Sequence, residues 1–421
     1  MLNSLALEPR QQSIGIFQFI ALGFILSIFI LPGFELYSGA PQVRLDDLFV
    51  YLMLLSMLLV YPWNLNIRVR EYVFVISILI IWMLVTQLAN GRLTVISDYF
   101  EYYKMFKFII VVVFFYLTFK DQGFYEGNGY HFLRLVFYGV VFFNLMHYYG
   151  LLNFNQVVMP FYAGEHQLAR FGLNSVGLPD VKRLLGSMGN PNDNAIIMGF
   201  FSIVFINQAV QRKEGRYFSA FLASTALLLL LMTGSRTAFI AIIGVFGLYF
   251  IISKASPKAL IGFALLGASL IVLVQLLNIT YISSLWTDKL TENASIMGRV
   301  EIWEHLWIMI KDSPWIGYGP NKEYFYANNI FAESDYVLMT WRYGFPGLFL
   351  YLLWLGIPAL TALWHRKIIS ARSLLLFSAF IFISALTNVP SQEPRINVIY
   401  ALLCGIMYAD LARRKKGLTY F

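Results

Sequence analysis

Residues 183–206 read RLLGSMGNPNDNAIIMGFFSIVFI, a polar, turn-forming segment that leads directly into an apolar run. Asn190-Pro191-Asn192 forces a turn, and an Asn or Asp just before an apolar helix is a good N-cap. A helix of about 20 apolar residues is long enough to cross the hydrocarbon core of a bilayer. The stretch therefore predicts a polar loop followed by a membrane-spanning helix.

The whole chain repeats this apolar pattern. Hydrophobic residues make up 59% of the 421 residues, charged residues 13%, and the mean hydropathy is +0.66. Soluble domains carry roughly 25% charged residues, so we expect an all-α, polytopic membrane protein forming one integral membrane domain over residues 1–421. Twelve spans are predicted, centred near Phe24, Leu54, Ile80, Val112, Val141, Phe201, Leu228, Val245, Leu266, Leu353, Phe380 and Leu403.

Two long polar stretches, Leu151–Asp193 and Asn278–Thr340, interrupt the spans, and counting spans places both on one side of the membrane. Basic residues are richer in the opposite set of loops, which predicts that both termini are cytoplasmic and both long loops face outward. The formal charge of +8 mostly reflects this bias, so no nucleic-acid partner is expected. The predicted cytoplasmic side holds seventeen basic residues: Arg10, Arg68, Arg70, Lys120, Arg134, Arg212, Lys213, Arg216, Lys254, Lys258, Arg366, Lys367, Arg372, Arg413, Arg414, Lys415 and Lys416. The short outward loops hold six: Arg44, Arg92, Lys104, Lys107, Arg236 and Arg395.

Two short segments carry candidate phosphate-binding residues. Arg183 lies three residues before Gly186 in the first long loop, and a cation beside a glycine turn can approach a phosphate closely. Arg236 lies in the tight turn Gly234-Ser235-Arg236-Thr237 at a predicted helix start, which is a natural anion site. The alternatives are a well-capped helix entry for the Asn-Pro-Asn turn and a snorkelling anchor for Arg236.

The second long loop contains a predicted amphipathic helix over Gly298–Ile310, lying on or near the membrane surface. Arg299 would open this helix, where its charge opposes the helix dipole, so we expect an anionic partner for it. Glu333 and Asp335 end the loop, shortly before Arg342. Two carboxylates near three arginines on one membrane face would suit glycosyl transfer, because one acid can deprotonate an acceptor hydroxyl while the cations stabilise a departing pyrophosphate. Loop carboxylates can equally be solvated side chains without a catalytic role.

Together these motifs resemble the O-antigen polymerase and ligase superfamily. The resemblance rests on Arg183-x-x-Gly186 with Asn190-Pro191-Asn192, Gly234-Ser235-Arg236-Thr237, Gly298-Arg299-x-Glu301-x-Trp303, Gly317-x-Gly319-Pro320-Asn321 and Gly344-x-x-Gly347. It implies a metal-independent glycosyltransferase of the C superfamily type, without a cofactor. Such an enzyme takes sugar chains from undecaprenyl diphosphate at the periplasmic face of the bacterial inner membrane. The resemblance assigns Arg236 and Arg299 to the diphosphate. Arg183 is a further candidate ligand of the diphosphate, and Asn190, Asn192 and Arg342 are candidate residues of the substrate loops.

One departure favours a Wzy-type polymerase over a ligase. Ligases are expected to carry a histidine late in the second long loop, whereas this chain has Ala332-Glu333-Ser334-Asp335-Tyr336 there and no histidine between His305 and His365. The expected reaction joins undecaprenyl-diphosphate-linked repeat units by a single inverting displacement, with Glu333 or Asp335 as the base. A chain-length-regulating membrane protein is a further candidate partner. A lipid-linked oligosaccharide flippase is the more distant alternative, disfavoured because no predicted span carries a charge at its midpoint.

Overall fold

The computed structural model describes residues 8–34, 43–60, 65–164, 168, 183–211, 215–253, 269, 272, 275–276, 294–328 and 330–417. Helices dominate these residues, together with a two-residue antiparallel strand pair, β1 (Gly33–Phe34) and β2 (Val43–Arg44). The α-helices are α1 (Glu8–Phe29), α2 (Leu45–Val60), α3 (Ile67–Ala89), α4 (Tyr99–Phe119), α5 (Asn128–Tyr149), α6 (Phe154–Val157), α7 (Pro191–Gln211), α8 (Arg216–Met232), α9 (Arg236–Ser253), α10 (Ala294–Asp312), α11 (Lys322–Ala327), α12 (Asp335–Trp364), α13 (Ile369–Ser384) and α14 (Pro394–Lys415).

The predicted all-α membrane architecture is confirmed. Among the described residues, six helices are long and apolar enough to cross a membrane: α3, α5, α7, α12, α14, and α4 with the turn before it. Shorter apolar helices are found at Gly15–Phe29, Arg216–Met232, Arg236–Ile252 and Ile369–Ser384. Each predicted span centre except Leu266 lies in one of the α-helices, and Leu266 lies outside the described residues. The number twelve therefore stays a prediction.

Helix α14 is the centre of the bundle. Every residue from Arg395 to Arg413 is buried, and the helix packs against α4, α13, α1 and α7. A helix that is apolar on all sides is stable only when other helices surround it. Glu393 caps its start by accepting a hydrogen bond from the backbone N–H of Arg395, and three basic residues in its last turn complement the helix dipole.

Helix α12 is broken near its first third, at Gly344, whose φ of 66° and ψ of −175° are not helical. Pro346 follows, and a proline cannot donate to the carbonyl four residues earlier, which here belongs to Arg342. The freed carbonyls find other donors: the N–H of Tyr318 bonds to the carbonyl of Trp341 at 3.0 Å, and that of Gly319 bonds to the carbonyl of Arg342 at 2.7 Å. The segment Asp335–Tyr343 thus becomes a separate helical arm held by the Gly317–Gly319 turn.

Two helices begin inside the predicted polar stretches. Helix α7 begins at Pro191, so Asn192 and Asp193 lie in its first turn, and α12 begins at Asp335, before the predicted loop end at Thr340. The bounds of the two loops relative to the membrane stay predictions. The predicted amphipathic helix of the second loop is present as α10, but α10 begins at Ala294, so Arg299 does not open it. Residues 278–293 lie outside the described residues.

The buried face of α10 also differs from the predicted one. Leu306 and Ile310 are buried as expected, together with the partly buried Ile302 and Met309, against Trp341 in the arm of α12. Trp307 is 47% exposed, although its sequence spacing from Trp303 and Ile310 predicts that all three share one helix face. The helix therefore packs on protein along one side, and its position at the membrane surface stays a prediction.

The predicted orientation can be tested by cysteine labelling, because the single native cysteine, Cys404, is buried in α14. We expect Glu304→Cys in α10 to react with a membrane-impermeant maleimide added from outside, since this side chain is exposed and lies on the predicted outward side. Lys415→Cys at the end of α14 should react only after the membrane is permeabilised. The reverse labelling pattern would invert the topology.

Candidate functional site

Arg183 joins the end of the first long loop to the turn between α8 and α9. Its Nε donates to the carbonyl of Thr233 at 2.8 Å, and its Nη2 donates to Oδ1 of Asn192 at 3.0 Å. Asn190 in turn caps α7, because its side-chain oxygen accepts from the backbone N–H of Asn192 at 2.8 Å. The arginine and both asparagines predicted for the site are therefore brought together, and each makes a bond that holds this corner of the fold.

Arg236 is the first residue of α9, as the sequence predicted. Gly234 turns the chain with a φ of +67°, and Ser235 is buried beneath the helix start. The side chain of Arg236 is partly exposed. A guanidinium at a helix N-terminus adds its charge to backbone N–H groups that lack helical partners, which is an arrangement suited to an anion.

Glu333 ends the second loop in a strained conformation. Its φ is +46°, in the left-handed region that a residue with a Cβ adopts only when surrounding contacts hold it there. Two residues of α10 supply such contacts: Nε of Arg299 bonds to the Glu333 carboxylate, and the indole N–H of Trp303 bonds to the carbonyl of Ala332 at 2.6 Å. The Glu333 side chain is 45% exposed. The anionic partner expected for Arg299 is thus a residue of this chain, and it is one of the two predicted catalytic carboxylates.

Asp335 is in a different position, since its side chain is fully buried. Its Oδ2 accepts from the hydroxyl of Tyr351 at 2.9 Å and from the backbone N–H of Ser391 at 3.0 Å, and its Oδ1 accepts from the hydroxyl of Ser391 at 2.5 Å. A carboxylate with these three bonds anchors the arm of α12 to the loop before α14. The two predicted catalytic carboxylates are therefore not equivalent, and Glu333 is the accessible one.

The segment Ala385–Gln392 connects the parts that the sequence separates. Ser334 and Asp335 bond to its backbone carbonyls at Ala385 and Asn388, and the hydroxyl of Thr387 bonds to that of Thr237, the residue after Arg236. The Arg236 turn and the Glu333 end of the second loop thus lie against one segment of eight residues. Sequence spacing did not indicate this segment, because it contains no arginine and only one charged neighbour, Glu393.

A further charged group near Gln392 was not predicted as a site. Glu101 and Lys104 in α4, Lys322 in α11 and Arg342 in α12 converge there, with Lys104 3.0 Å and Lys322 2.9 Å from a Glu101 oxygen. Nη1 of Arg342 and Nζ of Lys104 both donate to Oε1 of Gln392, each at 3.2 Å. The spacing Glu101-x-x-Lys104 in the first turns of an apolar helix is the signal that could have found it, since residues three apart share a helix face.

Arg44, Glu393 and Arg395 form a neighbouring charged group at the start of α14. Nη1 of Arg44 lies 2.9 Å from the Glu393 carboxylate, and Nη1 of Arg395 donates to the carbonyl of Ser187 at 2.6 Å. Burial opposes ionisation of Glu393, but the charges of Arg44 and Arg395 outweigh it and lower the pKa of this carboxyl. Burial likewise opposes the charge on Arg44, yet the carboxylates of Glu393, Asp46 and Asp47 raise its pKa. Both groups are therefore ionised at neutral pH.

Comparison with known families bears on this arrangement directly. Residues 221–352 match a family model described as O-antigen ligase. The match covers less than a third of the chain, and over these residues the chain is similar to the O-antigen polymerase and ligase superfamily. A search of curated proteins gave no match.

The matched region contains most of the predicted site. Arg236, Arg299, Glu333, Asp335 and Arg342 lie inside residues 221–352, whereas the first loop with Arg183 lies before them. The match supports an activity of the O-antigen polymerase or ligase kind in surface polysaccharide synthesis. The matched family acts on lipid-linked polysaccharide at a membrane. The family match leaves the choice between polymerase and ligase open.

The different surroundings of the two carboxylates predict different mutant phenotypes. Asp335→Ala leaves the Tyr351 and Ser391 donors buried without their acceptor, at a cost of about 1–3 kcal/mol for each orphaned donor. We expect the purified variant to melt at a clearly lower temperature than the wild type. Asp312→Ala, which removes an exposed carboxylate at the end of α10, is the matched control and should melt normally. A normally melting but inactive Asp335→Ala protein would instead place this carboxylate in the chemistry.

Proposed function

We propose that the protein is a Wzy-type polymerase that joins undecaprenyl-diphosphate-linked oligosaccharide repeat units at the periplasmic face of the bacterial inner membrane. The acceptor is one lipid-linked repeat unit, and its non-reducing sugar hydroxyl attacks C1 of the reducing-end sugar of the growing chain. The new glycosidic bond forms as the bond between C1 and the diphosphate oxygen breaks. Undecaprenyl diphosphate leaves with the electron pair, and a single displacement inverts the anomeric centre.

The pairing of Arg299 with Glu333 carries the proposal. Glu333 is the accessible carboxylate of the second loop, and its backbone is held in a left-handed conformation of a kind that concentrates at functional sites. In the proposed reaction Glu333 takes the proton of the acceptor hydroxyl. An incoming diphosphate competes with Glu333 for Arg299, so donor binding frees the carboxylate at the moment when a base is needed.

Arg236 and Arg299 are the proposed ligands of the donor diphosphate. Guanidinium groups match phosphate oxygens bidentately and keep their charge, so they can stabilise the negative charge that develops on the leaving group. Arg183 is proposed as a positioning residue for Arg236, because it bonds to Thr233 in the turn that orients Arg236. Asn190 and Asn192 support Arg183 in the same way.

The absence of a histidine at the end of the second loop favours the polymerase. Glu333 occupies the stretch in which the resemblance leads us to expect the histidine of a ligase, and His305 is instead exposed on α10, with its Nε2 2.7 Å from the hydroxyl of Tyr324. The ligase remains the second candidate, because the matching family model is described as O-antigen ligase. A ligase would transfer the polymer to lipid A-core.

Alanine substitution of the two arginines tests the diphosphate assignment. We expect Arg236→Ala and Arg299→Ala proteins to fold and to lose long chains on a polysaccharide ladder gel, with rates lowered by about 100-fold or more, as for a lost charge-stabilising donor. Arg216→Ala at the opposite end of α8 is the matched control, since its guanidinium is exposed and lies on the predicted cytoplasmic side. Normal ladders from both site variants would exclude the assignment.

The proposed base can be tested with an isosteric change. Glu333→Gln keeps the size of the side chain but cannot take a proton, so we expect the turnover rate to fall by about 10²- to 10⁴-fold. Donor binding should become tighter, because the neutral amide no longer competes as an anion for Arg299. Glu304→Gln, an exposed glutamate on α10 in the same loop, should polymerise normally. Wild-type turnover by the Glu333→Gln enzyme would rule out general-base catalysis by this residue.

Reconstitution separates the two candidate reactions. Purified protein would be given lipid-linked repeat units with and without lipid A-core, and the products would be resolved by size. A ladder formed without the core identifies the polymerase. Product formed only when the core is present identifies the ligase.

A further inference from the structure

The charged group around Glu101 contains three cations and one carboxylate, whereas an ordinary ion pair contains one of each. Three cations from three helices, Lys104, Lys322 and Arg342, approach the same carboxylate, at 3.0, 2.9 and 3.6 Å. Glu101, Lys104 and Arg342 are all more than nine-tenths buried. Placing several like charges together inside a protein is unfavourable unless an opposite charge compensates them.

Within the described part of the chain, Glu101 is the carboxylate that pairs with these three cations. Gln392 accepts from both Lys104 and Arg342, but its amide is neutral. The carboxylate of Asp335 is within electrostatic range of Lys104 but is bonded to Ser391 and Tyr351. The nearby acids Asp98 and Glu323 are paired with Arg92, at 2.8 and 3.2 Å.

Arg342 also has a donor to spare. Among the described residues, its buried Nε has no hydrogen-bond partner, although an arginine side chain normally uses its N–H groups in pairs when it binds an anion. Its guanidinium stacks over the ring of Phe325, with 5.9 Å between the carbon and the ring centroid, which fixes its orientation. The side chain of Lys322 is 22% exposed, so the group is connected to the surface.

We infer that Lys104, Lys322 and Arg342 bind a second phosphate-bearing lipid headgroup, separate from the donor diphosphate at Arg236 and Arg299. The inference rests on the proposed function, because a polymerase must hold two lipid diphosphates at once while only one of them is a leaving group. The acceptor's diphosphate stays intact, so its site needs cations but no catalytic base. The headgroup can come from the acceptor lipid or from a membrane phospholipid.

The position of Lys104, Lys322 and Arg342 fits the binding of a second lipid headgroup. Segment Ala385–Gln392 contacts Thr237, beside Arg236, through Thr387, and contacts Lys104 and Arg342 through Gln392. The two cation groups therefore lie along one segment of chain at the same end of the bundle. A repeat unit whose lipid diphosphate is held at Lys322 could extend its sugar chain toward Glu333, since Ser334 also bonds to this segment.

Binding of undecaprenyl diphosphate to the full-length protein in phosphatidylcholine nanodiscs tests the inference. We expect the wild type to take up two equivalents, and Lys322→Gln to weaken one of them by about tenfold or more, as the loss of a charge-assisted hydrogen bond implies. Arg342→Lys, which keeps the charge but loses the fork of donors, should weaken the same equivalent. Lys311→Gln, an exposed lysine at the end of α10, is the matched control and should bind both equivalents normally.

Three further arms distinguish the sources and outcomes. In the first arm, phosphatidylglycerol competes with undecaprenyl diphosphate for binding; competition that is seen with the wild type but not with Lys322→Gln would identify a phospholipid headgroup. In the second arm, the KM of Lys322→Gln for the acceptor is measured without phosphatidylglycerol; a KM higher than that of the wild type would identify the acceptor lipid. Unchanged binding of both equivalents by Lys322→Gln and by Arg342→Lys would overturn the site. Because this readout is binding, it is independent of the ladder test: loss of one equivalent in Lys322→Gln together with normal ladders from Arg236→Ala and Arg299→Ala would retain the site and reject the donor assignment.

Discussion

The break in α12 is the constraint on which the rest of the site depends. The backbone from Trp341 to Gly344 is buried, so the carbonyls that the break frees must bond to other protein groups in place of water. The carbonyls released before Pro346 are satisfied by the N–H groups of Tyr318 and Gly319, which requires two backbones to lie almost in contact. A Cβ at Gly317 would lie 2.6 Å from the Arg342 backbone, and one at Gly344 would lie 2.3 Å from the carbonyl oxygen of Trp315. Gly317 and Gly344 therefore both allow the same close approach, in which the Gly317–Gly319 turn packs against the backbone at the break in α12.

Once the break fixes the arm Asp335–Tyr343, the charges on it are also fixed. Asp335 at its start binds Ser391, and Arg342 near its end reaches Glu101 and Gln392. Glu333 lies just before the arm and is held by Arg299 and Trp303 of α10. One helix arm thus connects the accessible carboxylate, a buried structural carboxylate and a buried cation, so a change in its direction would disturb all three.

The arginines at this end of the bundle have two kinds of surroundings. Arg183 and Arg395 bond to backbone carbonyls, at Thr233 and Ser187, and so act first as connections between loops. Arg299 is paired with an exposed glutamate, and Arg342 keeps an N–H without a described partner. The second kind can exchange a protein contact for a phosphate oxygen without unfolding a turn, which is why the proposed ligand-binding roles fall on these residues and on Arg236.

The sequence by itself determined the helical membrane architecture, the start of α9 at Arg236, the cap at Asn190 and the helix carrying Arg299, because apolar length, turn residues and caps are local properties. It could not distinguish Glu333 from Asp335, since both are acids two residues apart and only burial separates them. Nor could it bring Lys104, Lys322 and Arg342 together around Glu101, because these residues come from helices distant in the chain. Local patterns fix which segments are helices, whereas the packing of those helices decides which charges meet.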